Sequence, residues 1–149
     1  MAKKAKFMGV IVIDTREQLP YEFDCPTVVR MLDAGDYSVE GMEMDVVIER
    51  KTKADIYGSV TAGRERFERE MVRLYRVKYP ALVIESDLQG LLEAPPFSRV
   101  SPAVVVNTLV SWSIKYGVCV WLAGNRQLAQ QLTFRLLEKA WQIKMAGGK

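Results

Sequence analysis

Two short runs of apolar, mainly β-branched residues, Val10-Ile11-Val12-Ile13 and Val46-Val47-Ile48, each stop at a charged residue. Runs of this length are too short for a buried helix and read as buried strands. A third, Ala81-Leu82-Val83-Ile84-Glu85, reads as a buried strand by its apolar run. The residues that end these runs constrain the chain as much as the runs do. Asp14-Thr15-Arg16-Glu17 closes the first and Glu49-Arg50-Lys51 the second. Side chains two apart on a strand share a face, about 6 to 7 Å apart along it, so Glu49 and Lys51 point the same way. A carboxylate left half buried at a strand end costs free energy unless something compensates it. In sheets of α/β domains, ligands collect at the carboxyl ends of the strands, where these acids stand.

Gly35-Asp36 supplies a further carboxylate, with twelve residues between it and Glu49. A hard divalent cation takes oxygen ligands, usually one or two carboxylates with a substrate phosphate, so Asp36 and Glu49 are candidates to hold Mg2+ or Mn2+. Asp14 and Glu17 are candidate further ligands or supports, with Arg16 a candidate phosphate clamp. Lys51 is placed to orient or deprotonate an attacking water. Each piece also has a plainer reading. Gly-Asp is common in turns, Asp14 and Arg16 can simply pair at a strand end, and Asp55 can cap a following helix. The absence of histidine narrows the chemistry further. Imidazole acid-base catalysis, imidazole-bound zinc and serine or cysteine hydrolysis through histidine are excluded, whereas carboxylate, cation and lysine chemistry survives. Cys25 and Cys119 form no C-x-x-C pair and read as reduced thiols in or near the core.

The 149 residues suit one domain, read as residues 9–145 after a basic, mobile tail over 1–8. Strands are expected near 9–14, 27–33, 36–40, 44–51, 81–85 and 118–122. Helices are expected over 64–78, from Ser101-Pro102 onward, and from Asn125 to Met145. In the first of these, Phe67, Met71, Leu74 and Tyr75 repeat at helical spacing, Arg66, Arg69, Arg73 and Arg76 fall on the other side, and Pro80 marks the end. This segment alone carries an excess of positive charge equal to the +3 of the whole chain. Arg64, Arg66, Arg69 and Arg73, with Arg16, are therefore candidate phosphate contacts; a solvated, internally paired face is the plainer alternative. Gly58 to Gly63 reads as a loop able to approach a nucleic-acid backbone. The last helix carries Leu128, Leu132, Leu136, Ala140 and Ile143, with Phe134, Leu137 and Trp141 widening the stripe, which is read mostly as core and partly as a candidate dimer contact. Trp112 and Trp121 read as packing. No apolar stretch is long enough to span a bilayer and no secretion signal opens the chain, which makes a cytoplasmic location the expectation.

Taken together, Val12-Ile13-Asp14-Thr15-Arg16-Glu17, Gly35-Asp36-Tyr37, Val47-Ile48-Glu49-Arg50-Lys51 and Asp55 resemble the nuclease domain of the XPF-type (ERCC4-domain) structure-specific endonucleases, a branch of the PD-(D/E)xK superfamily. The likeness extends through Gly63-Arg64-Glu65-Arg66-Phe67 and Ala81-Leu82-Val83-Ile84-Glu85, covering most of residues 9–125. It implies a restriction-endonuclease-like α/β fold, a mixed sheet flanked by helices. It implies a Mg2+- or Mn2+-dependent DNA endonuclease acting on branched, flap or junction DNA in repair, recombination or replication. Carried over by position, metal ligation falls to Asp36 and Glu49 with help from Asp14 and Glu17, water handling to Lys51, and support to Arg50 and Asp55. The chain reaches Lys149 without the paired helix-hairpin-helix elements usual in relatives, so it is more similar to compact members from phages and bacteria, active in a bacterial or phage-infected cytoplasm. DNA is the expected partner, with a homodimer through the last helix as a further candidate. Two other readings stand beside this one: a noncatalytic DNA-binding or scaffold module of the same fold, and a restriction-type or junction-resolving nuclease.

Overall fold

The computed structural model describes residues 5–148. Its strands are β1 (Ile11–Ile13), β2 (Thr27–Val29), β3 (Tyr37–Val39), β4 (Val46–Lys51), β5 (Tyr79–Ile84) and β6 (Cys119–Leu122). Its helices are α1 (Lys53–Ser59), α2 (Arg64–Tyr75), α3 (Leu88–Leu91), α4 (Pro102–Tyr116) and α5 (Arg126–Met145). The strands form one mixed sheet in the order β2-β1-β3-β4-β5-β6. β1, β3 and β4 run antiparallel to one another in turn, while β2 beside β1, and β5 and β6 beyond β4, pair in parallel. This is the α/β mixed sheet flanked by helices that the strand runs and the motif resemblance implied.

Side-chain alternation decides which residues meet which helix layer. Val47, Leu82 and Ile84 face a core built with Tyr57, Phe67, Met71, Leu74, Leu109 and Trp112 of α1, α2 and α4. Val46, Ile48, Ala81 and Val83 face the other, with Ile11, Ile13, Tyr37 and the α5 residues Ala129, Leu137 and Ala140. Glu49 and Lys51 share the parity of Val47 and so emerge on the α1–α2 side; Arg50 shares that of Ile48 and emerges on the α5 side. One strand end therefore serves two faces.

Several local expectations are corrected. α2 ends at Tyr75, which is exposed, and Pro80 does not stop the helix but sits near the start of β5, where its missing N–H falls before pairing with β6 begins at Ala81. On α5 the buried face is Ala129, Thr133, Leu137 and Ala140; of the expected stripe Leu137 and Ala140 are in it, Leu132, Phe134, Leu136 and Trp141 pack partly buried beside it, and Leu128 and Ile143 are exposed. Small residues there let the helix axis approach the sheet closely. Trp112 is buried edge-on to Phe67, as expected, but Trp121 lies on the edge strand and is 40% exposed; Cys119 is exposed too. α1 and α3 are additional short helices. Residues 1–4 of the expected N-terminal tail lie outside the described residues; of the rest, Phe7 is buried edge-on against Phe134 and Trp141. No helix among the described residues is long and apolar enough to cross a membrane.

Candidate active site

Asp36 enters the site from the turn before β3. Gly35 makes that turn with φ +70°, and a Cβ there would lie 2.2 Å from Val47 Cγ1 and 3.1 Å from Ile48 O, so both dihedral and space demand glycine. Backbone hydrogen bonds from Asp36 N to Ile48 O and from Asp14 N to Asp36 O tie the residue between β4 and the end of β1. Its Oδ2 accepts the Arg50 N–H at 2.7 Å. Asp36, Glu49 and Lys51 then line one cavity of about 210 Å3, with Glu17, Asp33, Arg50, Asp55 and Glu70 also on its wall and Arg16, Arg66 and Arg73 at its rim.

Glu49 is 7% exposed. Burial, and then the charge of Asp36, push its carboxyl well above the usual range. Burial likewise raises Asp36, against the Arg50 hydrogen bond and with the charge of Glu17 adding to it. A buried Glu49 whose ionisation the charge of the half-buried Asp36 opposes makes a site short of positive charge. Lys51 supplies part of it: Nζ lies 3.4 Å from Glu49 Oε1 and 3.5 Å from Glu70 Oε2. Burial alone would lower the lysine, but the charges of Glu49, Glu70 and Asp36 outweigh it and hold the ammonium protonated.

The acids after β1 are differently engaged. Asp14 is 1% exposed, and Oδ1 accepts from Arg16 N and Nε, while Oδ2 accepts from Arg16 Nη2 and Leu32 N. Burial opposes its charge, but these bonds hold the carboxyl below its usual range. Four donors fill the lone pairs of a carboxylate. Glu17 accepts from Arg50 Nη1 at 3.1 Å and from the Tyr37 hydroxyl at 3.3 Å. Arg50 also donates from Nε to Glu85 Oε1 at 2.6 Å, the acceptor shared with the Tyr21 hydroxyl at 2.7 Å, and both Arg50 and Arg126 lie 5.0 Å over the Tyr21 ring. This network on the α5 side pins Arg50, whose backbone N–H in turn holds Asp36. Asp55 is the third residue of α1 and completes a capping box with Thr52 while facing the cavity.

Of the five arginines expected to meet phosphate, Arg16, Arg66 and Arg73 rim the cavity. Arg64 turns away, with its guanidinium 5.2 Å over the Trp112 ring and Nη1 bonded to Thr108; Arg69 is exposed but does not line the cavity. Glu70, Tyr21, Glu85 and Arg126 are additions. No local pattern marks Glu70; Glu85 carried a signal, as a charge at the end of a buried run. Among the described residues no three His, Cys, Asp or Glu side chains converge as a complete metal cage. A pair of carboxylates is nonetheless the usual protein share of a Mg2+ site, the rest being water and phosphate. The buried Glu49 and the half-buried Asp36 on the wall of one cavity fit such a cation.

The fold is similar to solved structures that include two of one archaeal protein. XPF from Aeropyrum pernix is 17% identical, with a TM-score of 0.69 over 94% of this chain and 64% of that one. XPF from Aeropyrum pernix in complex with DNA is 17% identical, with a TM-score of 0.68 over 93% of this chain and 66% of that one. The chain thus spans about two thirds of the length of these structures. No curated protein sequence matches it. The family model of the ERCC4 domain matches residues 13–136, from the end of β1 to the middle of α5, and the chain belongs to the ERCC4 domain family.

Proposed function

We propose that this chain is a divalent-cation-dependent DNA endonuclease that hydrolyses phosphodiester bonds. The carrying observation is that Asp36 and Glu49, from separate segments, line one cavity with Arg16, Arg66 and Arg73, close enough for the charge of Asp36 to push the Glu49 carboxyl up, and that the Lys51 ammonium stands beside Glu49. Asp36 and Glu49 would hold the cation. When bound, Mg2+ or Mn2+ would polarise the scissile phosphate and its attacking water. Lys51, held as an ammonium, donates to that water or to the phosphate and fixes its approach, rather than removing a proton. The rim arginines seat the flanking phosphates through charge-assisted bonds, giving binding that is independent of sequence and weakened by salt. Asp14 acts one step back, its two hydrogen bonds from the Arg16 guanidinium aiming that side chain while Arg16 N and Leu32 N hold the carboxylate; Glu17 and Arg50 brace the Asp36 turn, and Asp55 holds the start of α1 against the cavity.

Selectivity for branched, flap or junction DNA, and service in repair, recombination or replication, follow from family membership and are part of the proposal. So is self-association through α5, where Leu128 and Ile143 are exposed and Trp121 of the edge strand lines a groove with Ile143. The test is cleavage of labelled flap, fork, four-way-junction and linear duplexes with and without Mg2+ or Mn2+. Asp36→Ala and Lys51→Ala should each cut at least about a hundredfold slower, a loss of transition-state stabilisation of ~2.7 kcal/mol, with circular dichroism and DNA affinity near the parent's. Cation-independent binding without nicking of any substrate would leave a noncatalytic DNA-binding module instead.

A further inference from the structure

Resting on the endonuclease reading, we infer that Glu70 of α2 is a positioning residue for Lys51, providing a second carboxylate to which the ammonium passes when Glu49 turns to a cation. The alternation of β4 sends Lys51 toward α2, and α2 meets it with two residues three apart, hence on one helix face. Phe67 lies beneath, its ring centroid 5.0 Å from Nζ, and Glu70 stands beside, with Oε2 at 3.5 Å. Glu49 Oε1 approaches the same nitrogen at 3.4 Å. The ammonium is thus suspended between two carboxylates at nearly equal, long distances. An ammonium has three N–H donors and no acceptor, so it can serve both and still present one hydrogen to the cavity.

Glu70 Oε2 makes this more than a surface ion pair. It is buried and makes no hydrogen bond: 3.5 Å to Lys51 falls within ion-pair range but outside bonding geometry. A buried carboxylate oxygen without a donor is costly, and its nearest charged neighbour is the lysine. Glu49 cannot give the same lone pairs to an ammonium and to a divalent cation, and the two positive charges repel. Closing the Glu70 contact to the ~2.8 Å of a charge-assisted bond draws the ammonium away from Glu49 and satisfies the orphan oxygen in one movement. Arg66 Nε, 3.9 Å from Glu70 Oε1, faces the other oxygen. Without Glu70 the lysine has only Glu49 to pair with, and it blocks the ligand.

The test uses Glu70→Gln and Glu70→Asp in the full chain. Mn2+ binding is measured by calorimetry without DNA, and kcat and KM are measured on a cleaved substrate. Glu70→Gln should fold with a melting temperature within about 3 °C of the parent, bind Mn2+ about tenfold more weakly, and lose about tenfold or more in kcat with KM changed less than about twofold. Glu70→Asp keeps the charge but retracts it, and should recover less than half of either loss. Parental Mn2+ affinity in Glu70→Gln, full recovery by Glu70→Asp, or failure of Glu70→Gln to fold would each overturn the inference. A chain that binds Mn2+ with the expected shift in Glu70→Gln yet cuts no DNA supports the positioning role and rejects the endonuclease; no Mn2+ binding by the parent rejects both.

Discussion

At Asp36, function and stability oppose each other. Its carboxyl, like that of Glu49, is raised above its ordinary value chiefly by burial, so in the cation-free protein the folded state holds more protons than the unfolded one across that window. Stability must then fall as pH rises from the unfolded values of 3.8 and 4.5 toward the raised ones. Asp36→Asn removes one of the two charges: it should abolish cleavage while raising the pH 8 melting temperature without added cation. The gain is on the order of 1 kcal/mol, or about 2–4 °C, and should shrink toward pH 4, as calorimetry at several pH values would show. Gly35 carries the opposite case. Gly35→Ala adds a methyl at positive φ against Val47 and Ile48, and chemical denaturation should register a loss of at least about 2 kcal/mol.

Among the elements, α2 separates arginines by helical rotation. Arg66 and Arg73 rim the cavity, whereas Arg64 stacks on Trp112. The Arg66→Ala, Arg73→Ala double variant should weaken binding to any DNA duplex and reduce the slope of log affinity against log salt by about 2, roughly 0.9 for each lost phosphate contact. Arg64→Ala should leave that slope unchanged, and fluorescence anisotropy over a salt series distinguishes them. α1 depends on its capping box, with the Thr52 hydroxyl accepting from Asp55 N at 3.1 Å and Asp55 Oδ2 from Thr52 N at 3.2 Å. Thr52→Ala should cost about 1 kcal/mol in urea unfolding. Of the fold itself, the strands were legible because alternation and apolar runs are local; β1, β4 and β5 stand within two residues of their expected places. The face of α5 was legible only in part: Leu137 and Ala140 of the expected stripe are buried, whereas Ala129 and Thr133, too small or too polar to stand out in a broad apolar girdle, were picked out only by packing on the sheet.

For the whole molecule, a cation that binds only the folded chain adds stability by mass action. At pH 8, Mg2+ at ten times its dissociation constant should add ~1.4 kcal/mol and raise the melting temperature by a few degrees. Asp36→Asn should erase that shift, and a fluorescence melt over a Mg2+ series reads it directly. The two halves of the site respond to different layers: Glu49 and Lys51 look to α2, Arg50 to Tyr21, Glu85 and Arg126 on the α5 side. Cavity geometry at the end of β4 thus depends on helices packed against opposite faces of the sheet.

The sequence by itself determined the α/β class, the strand ends that carry acid, and the shared face of Glu49 and Lys51, because each follows from apolar runs and from alternation along a short buried strand. Tertiary structure alone decided what those groups meet. Asp14 has its lone pairs filled by Arg16 and Leu32, Arg64 is lost to Trp112, and Glu70 is brought to Lys51 from nineteen residues along the chain. Spacing in a sequence fixes the direction of a side chain on its own element; its partner is fixed by how neighbouring elements pack, and that is a property of the closed core.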